Sequence, residues 1–367
     1  MKVALFVPGG VDRSGTHRVI HCLLWLIERL ARAHEVHVFA LNQEPNPGNW
    51  SLLGAHVHNA GTVRGWRRRL YAAFSAEHRA MPFDVIHGIF GWGGLYGGLL
   101  GRWHRVPVLF HPDGGEFVAM RDIGYGYLCT LRGRCEMRLA LAVSSRLSVS
   151  SRYHQRIVAA FAGDALVVPM GVALDRWPRS APRARDMSRP VRLLHIGDWR
   201  PVKDQPTILA AVHSLIAAGH DVELDLVGRD TLDGALQRLP AALAMPSRVR
   251  WHPTMQREAL RELVDRADLL VMASRHEAGP LVILEAAIAG VPAVGTAVGH
   301  FADWTPDAAV AVPVGDAGAL AAAIAALLVD EPRRLALARE AQRRALAIDA
   351  DATAASFQRL YRELCAS

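Results

Sequence analysis

Cysteine is scarce, with four in 367 residues (Cys22, Cys129, Cys135 and Cys365) and no C-x-x-C pair among them. That spacing excludes a thiolate zinc ribbon and predicts a reduced, cytoplasmic setting. Lysine is scarcer: Lys2 and Lys203 are the only two, so 40 of the 42 basic residues are arginine. Long apolar runs are missing, and none reaches the ~18 residues that span a bilayer. The nearest, residues 88–100 and 319–328, are rich in glycine and alanine and read as packed helices. No charged leader precedes the apolar start at residue 3, so no signal peptide is expected. Internal repeats and low-complexity tracts are lacking as well.

What is present is a hydrophobic chain, 51% by composition, long enough for two domains with sizeable cores. Its charge is uneven. Residues 1–180 carry 21 basic and 12 acidic side chains, a net +9, whereas residues 181–367 carry 21 and 23, a net −2. A basic first half suits an anionic partner for that half, such as a lipid phosphate or a membrane surface. The run from Arg64 to Tyr71 mixes four arginines with Trp66 and Tyr71. It reads either as a solvated helix face or as a peripheral contact with an anionic membrane. Nothing in the pattern calls for nucleic acid.

Short apolar strands alternate with helical stretches. Strands are predicted over 3–7, 36–40, 56–59, 84–87, 106–111, 147–150 and 166–169, with helices over 16–33, 91–103 and 152–161. Ser14-Gly15-Thr16 reads as the cap of the first helix. The proline- and arginine-rich stretch 171–189 interrupts the rhythm. It then restarts with strands over 191–196, 222–227, 249–251, 268–273 and 293–295, and helices over 206–218, 257–266, 280–289, 331–347 and 352–365. The prediction is α/β, with two doubly wound, Rossmann-like domains facing across a cleft: residues 1–172, a linker 173–190, residues 191–348, and a C-terminal helix 349–367 packing back toward the first domain. Ligands of such sheets bind beyond the strand C-termini.

The stretch 274–286, SRHEAGPLVILEA, is the most informative. Glu277 follows the end of a buried strand, and Glu285 lies eight positions on in the next helix. Gly279 and Pro280 start that helix, leaving the amides of Leu281 and Val282 free to meet an anion. Carboxylates for hydroxyls beside amides for phosphate suit a sugar carried on a diphosphate. The plainer readings are a surface carboxylate pair, a solvated Lys203, a satisfied buried His111 and a tight turn at Gly9-Gly10.

These residues resemble the retaining glycosyltransferases of family 4, which have the GT-B fold. The likeness is densest over 191–299: Gly197-Asp198-Trp199-Arg200-Pro201-Val202-Lys203, Leu226-Val227-Gly228, the Glu277-to-Glu285 spacing and Gly290-Val291-Pro292. It is thinner in Pro8-Gly9-Gly10, the strand ending at His111, Ser150-Ser151 and Pro169-Met170-Gly171. The resemblance implies that Glu285 takes the ribose hydroxyls, Glu277 faces the donor sugar, and Lys203 neutralises the diphosphate with the amides after Pro280. It also implies that His111 lies near the reacting sugar, that Gly9-Gly10 lets backbone approach the phosphates, and that backbone around Pro253 and Thr254 reads the base.

The implied reaction moves a sugar from a nucleoside diphosphate to a hydroxyl of a sugar, lipid-linked or small-molecule acceptor, with retention and without metal or cofactor. No D-x-D metal loop is found, since Glu223-Leu224-Asp225 falls within a strand. Three positions depart from the family pattern. Asp198 stands where arginine is usual, with Arg200 as a substitute clamp; Pro280 replaces glycine; Asp113 adds a carboxylate after His111. A nucleotide-sugar epimerase and a binding protein without turnover remain as alternatives. A dinucleotide dehydrogenase does not fit, because Tyr96 occupies the third glycine of the fingerprint begun at Gly91.

Overall fold

The computed structural model describes residues 1–238 and 245–366; Ser367, placed in the C-terminal helix by the sequence reading, lies outside them. The chain divides into two compact units, Met1–Ala173 with Ile348–Ser367, and Leu174–Ala347.

The first unit carries β1 (Lys2–Val7), α1 (His21–Ala31), β2 (Glu35–Ala40), β3 (Gly48–Leu52), β4 (Ala55–Asn59), α2 (Trp66–Ala80), β5 (Val85–Ile89) and α3 (Phe90–His104). It continues with β6 (Val108–His111), α4 (Leu131–Ala142), β7 (Arg146–Val149), α5 (Arg152–Val158) and β8 (Leu166–Val167). Strand order among the described residues is β3-β4-β2-β1-β5-β6-β7-β8. Every pairing is parallel except the β3–β4 hairpin. Burial on both faces explains the apolar run Val3–Val7 of β1. The strand order reverses between β1 and β5, which places Gly9-Gly10 and the start of α3 at one switch point.

The second unit holds β9 (Val191–Ile196), α6 (Gln205–Ala217), β10 (Val222–Val227), β11 (Val249–His252), α7 (Arg257–Arg266) and β12 (Leu269–Met272). It closes with α8 (Leu281–Ile288), β13 (Ala293–Thr296), α9 (Gly299–Trp304), β14 (Val310–Val312), α10 (Ala317–Val329) and α11 (Glu331–Leu346). Its order is β11-β10-β9-β12-β13-β14, parallel throughout, with the switch between β9 and β12. Of the linker predicted over 173–190, residues 174–190 pack within this unit. Trp177 is fully buried and donates to Glu285 O at 2.8 Å, and Arg334 Nη2 donates to Arg183 O at 2.7 Å.

Helix α12 (Ala350–Ala366) returns to the first unit. Phe357 and Tyr361 enter a core with Leu23, Ile27, Val38 and Val85, and the Tyr361 hydroxyl meets His87 Nδ1 at 2.7 Å.

Two expectations about local structure change. Helix α1 starts at His21 rather than at residue 16, because Gly10 and Val11 bridge to Val19 and draw that segment out of the helix. The Ser14 hydroxyl accepts from Thr16 and His17 N in a turn instead of capping a helix. Pro280 is the N-cap of α8, with extended ψ of 122°, so Leu281 is the first helical residue.

Candidate functional site

The second unit assembles most of the predicted donor residues from loops beyond its strands. The loop after β9 runs through Gly197 to a short 3-10 turn at Pro201–Lys203. The loop after β12 meets it where Arg275 N donates to Val202 O at 2.8 Å. This hydrogen bond brings two distant sequence positions together at the switch point. Lys203 Nζ lies 2.5 Å from Glu277 Oε1, and Ser274 Oγ donates to the same oxygen at 2.7 Å. The N-terminus of α8, whose first amides have no partner within the helix, follows three residues on. Gly299, with φ at +53°, is obligatory here: a Cβ would meet Pro280 Cδ at 2.7 Å and Glu277 Cβ at 3.1 Å.

Asp198 accounts for its own departure from the family pattern. Its carboxylate takes the Arg229 guanidinium at 2.9 Å and the Arg229 amide at 3.2 Å, with Arg200 Nη2 at 3.7 Å. The acid thus gathers two arginines on the loops after β9 and β10. Behind it, buried His195 uses Nδ1 to donate to Val271 O at 3.0 Å. Its Nε2 therefore accepts from Gln205 Nε2, 3.3 Å away, and Gln205 also donates to Asp198 O at 3.1 Å. Burial lowers the His195 pKa to about 4, so the ring is a neutral strut for this loop.

Gly228, Pro253 and Thr254 line a pocket of about 450 Å³ with Trp199, Arg229 and Trp251. Trp199 and Trp251 meet edge to face at 4.9 Å between centroids. A Cβ on Gly228 would run into the carbonyl of Gly197, so glycine is required where the two loops touch. The pocket offers flat apolar walls and loop backbone, which suits a planar heterocycle.

Glu285 lies on α8, 4% exposed, with Oε1 3.2 Å from Arg257 Nη1. Burial raises its pKa and Arg257 opposes that shift. Arg257 in turn lies 4.8 Å over the Trp177 ring. In the first unit, His111 is fully buried. Its Nδ1 is 2.9 Å from Ser148 Oγ and its Nε2 3.1 Å from Ser150 Oγ, while Ser150 donates onward to Asp113. Burial, then the nearby His154, lowers its pKa to about 3, so it is neutral. Asp113 thereby has a structural partner. A Cβ on Gly10, whose φ is +83°, would collide with the Ile20 side chain, and one on Gly9 would press on Gln43 Oε1 at 3.2 Å.

Sequence reasoning missed several supports. Arg257 and Trp177 gave no motif, and Gln205 and His195 reveal their roles only through β9 pairing beside β12. Glu116 was not singled out either. It is buried and accepts from Gly91 N at 2.9 Å, at the start of α3, and from Gly114 N at 2.7 Å.

Comparison with known proteins agrees with this geometry. Residues 182–344 match the family described as glycosyl transferases group 1, and residues 19–173 match a glycosyl transferase 4-like domain. A D-inositol 3-phosphate glycosyltransferase of Geodermatophilus obscurus is 30% identical over 308 residues, spanning 78% of this chain and 68% of the relative. Sucrose-phosphate synthase from Thermosynechococcus elongatus superposes with a TM-score of 0.82 at 22% identity, covering 100% of this chain and 99% of that one. Anabaena HepE in complex with UDP-glucose gives a TM-score of 0.75 at 16% identity, with coverage of 99% and 100%.

Proposed function

The chain belongs to the group 1 glycosyl transferases of GT-B fold, resembling family 4, and from that premise we propose that it moves a sugar from a nucleoside diphosphate to an acceptor hydroxyl with retention of anomeric configuration. The observation that carries this reading is the Lys203–Glu277–Ser274 cluster at the β9/β12 switch, beside the N-terminus of α8.

Breaking the sugar–phosphate bond leaves charge on a diphosphate. An ammonium, two arginines held by Asp198 and the first amides of α8 can stabilise that charge without a metal. In the proposed step the acceptor oxygen bonds to the anomeric carbon on the face from which the phosphate departs, and the departing phosphate oxygen takes the acceptor's proton. Glu277 then holds sugar hydroxyls while Lys203 turns to the phosphate. Glu285, anchored by Arg257, takes the ribose, and the pocket of Trp199, Gly228, Pro253 and Thr254 takes the base. The HepE complex with UDP-glucose supports a uridine donor on this fold. Neutral His111 and the Gly9-Gly10 turn are assigned to positioning on the acceptor side.

The proposed acceptor is a sugar, lipid-linked or small-molecule hydroxyl. The proposed setting is the cytoplasm, with peripheral membrane contact through the α2–α3 surface. Among the described residues, no helix is long and apolar enough to cross a membrane. Arg67 and Arg68 are exposed there, as is Trp103, whose ring meets Tyr71 at 6.4 Å.

The deciding experiment supplies nucleotide sugars with candidate acceptors and follows nucleotide release and product stereochemistry. Acceptor-dependent release that vanishes in Glu277→Ala, with a product of unchanged anomeric configuration, is expected. Inverted product, or release without acceptor in the native enzyme, overturns the reading.

A further inference from the structure

The face of the first sheet beneath α2 gathers more ionisable groups than a core needs. His37 on β2 and His58 on β4 point to the same side, since His37 pairs with His56 and Phe39 with His58 in parallel register. Both are buried. Their rings are parallel within 4°, and His37 Nδ1 lies 2.9 Å from His58 Nε2. Glu77 reaches in from α2, with one oxygen 3.7 Å from His37 Nδ1 and the other 4.0 Å from His58 Nε2. We propose that His37, His58 and Glu77 form a divalent transition-metal site of the zinc class, clamping α2 to the sheet.

Three independent features support it. The first is spacing: one ligand atom from each residue lies within 4.8 Å of the others, and ligands ~2.1 Å from a common tetrahedral ion lie roughly 3.4 Å apart. Small side-chain rotations close the difference. The second is the outer partner. The far nitrogen of His37, Nε2, is 2.9 Å from Glu35 Oε1, so it carries its proton there and leaves Nδ1 with a lone pair. A ligating histidine characteristically donates its other N–H to a carboxylate in this way. The third is charge. Lys2 Nζ is fixed by the carbonyls of Glu77 and Met81 at 2.9 and 3.1 Å, and lies 3.6 Å from Glu35 and 3.7 Å from Glu77. One ammonium facing two carboxylates leaves a negative charge for a cation to neutralise.

Burial lowers both imidazole pKa values, that of His58 to about 4, so both rings are neutral and able to ligate at pH 7. Binding requires His58 to hold its proton on Nδ1, a tautomer shift with no net release. His56 is exposed, its ring 5.0 Å from that of His37, and stands outside the three-residue cluster, so water completes the coordination. The two imidazoles and a carboxylate match zinc, cobalt or nickel better than calcium or magnesium. The site belongs to the first unit and the donor residues to the second, so the assignment stands or falls apart from the proposed reaction.

The test uses the full chain after chelator treatment. Co2+ titration followed by visible absorption, with Zn2+ equilibrium dialysis and elemental analysis, measures uptake. One equivalent is expected, with affinity reduced at least 10-fold in His58→Ala and in Glu77→Gln but unchanged in His213→Ala, an exposed control. Zn2+ should also raise the Tm of the native chain by several degrees and leave Glu77→Gln unmoved, since an ion binding only the folded state stabilises it. If His58→Ala fails to fold, Glu77→Gln decides. Absence of stoichiometric uptake, or uptake that Glu77→Gln leaves intact, overturns the site.

Discussion

Lys203 Nζ and Glu277 Oε1 are 2.5 Å apart, although 74 residues separate them in sequence. The pair is only partly exposed, so each group fixes the other before any ligand arrives. A donor diphosphate must then compete with Glu277 for the ammonium. Lys203→Ala should therefore lower kcat/KM by about 100- to 1,000-fold, the usual loss on removing a charged stabiliser of a leaving group. Combining it with Glu277→Gln should cost less than the product of the single losses. Steady-state kinetics on the four proteins of this cycle check both statements; strict additivity would remove the coupling.

Asp198 orders Arg200 and Arg229, which makes the acid a positioning residue. Asp198→Ala should weaken nucleoside diphosphate binding about 3- to 10-fold at low salt. Arg200→Ala and Arg229→Ala should each cost about 10-fold or more if the guanidinium contacts phosphate. Calorimetric titration at two ionic strengths reads this. Tighter binding in Asp198→Ala would mean the carboxylate only repels the ligand.

Glu116 joins the loop after β6 to the first turn of α3. Burial raises its pKa while the amides of Gly114 and Gly91 hold it down. Glu116→Ala strands the buried Gly91 amide and removes a partner of the half-buried Gly114 amide, and should lower stability by about 1–3 kcal/mol, whereas Glu116→Gln keeps an acceptor and should lose less. Urea unfolding midpoints distinguish them.

Four buried histidines have folded pKa values far below the ordinary 6.5: about 4 for His58, His195 and His300, and about 3 for His111. Burial is the main cause for each. Below pH 6.5 the unfolded chain binds protons that the folded chain refuses. Their contribution is therefore complete above pH 6.5 and lost as pH falls toward 4, with each adding up to about 1.4 kcal/mol per pH unit. Glu116 and Glu285, raised by burial, act in the opposite sense and offset part of this. Unfolding midpoints with chelator present should drop steeply from pH 6.5 to pH 4. His111→Gln, which can keep one serine bond, should flatten that slope.

Arg69 donates to the carbonyls of Ala60, Val63 and Arg64, so it braces the loop before α2 and is unavailable to lipid. The proposed membrane contact falls to Arg67, Arg68 and Trp103. Replacing these three by Glu, Glu and Ala should abolish co-sedimentation with anionic liposomes and leave neutral liposomes unaffected. Equal sedimentation of the variant would exclude this surface.

Burial patterns made the parallel strands readable. Val3–Val7 is a continuous apolar run, and Val222–Val227 alternates until Leu226-Val227, both strand patterns. The hairpin strand Gly48–Leu52 escaped notice because Gly48-Asn49 carries no strand signal. Its turn uses Leu53 at φ +50° and Gly54 at +84°, not Asn-Gly. Helix α2 was visible only as an arginine run, since its buried face is little more than Leu70 and Phe74. In the site, residues after strands could be found from topology alone. Partners such as Arg257 for Glu285, or His37 for His58, depend on chain segments that only the folded sheet brings side by side.

The placement of α12 also constrains synthesis. Residues 1–173 leave the ribosome well before Phe357 and Tyr361 exist, and His87 waits for the Tyr361 hydroxyl until then. The second unit, contiguous from 174 to 347, can mature while its elder neighbour still shows an open hydrophobic flank. A nascent chain stalled near residue 347 would thus be a customer for chaperones at its beginning rather than at its growing end.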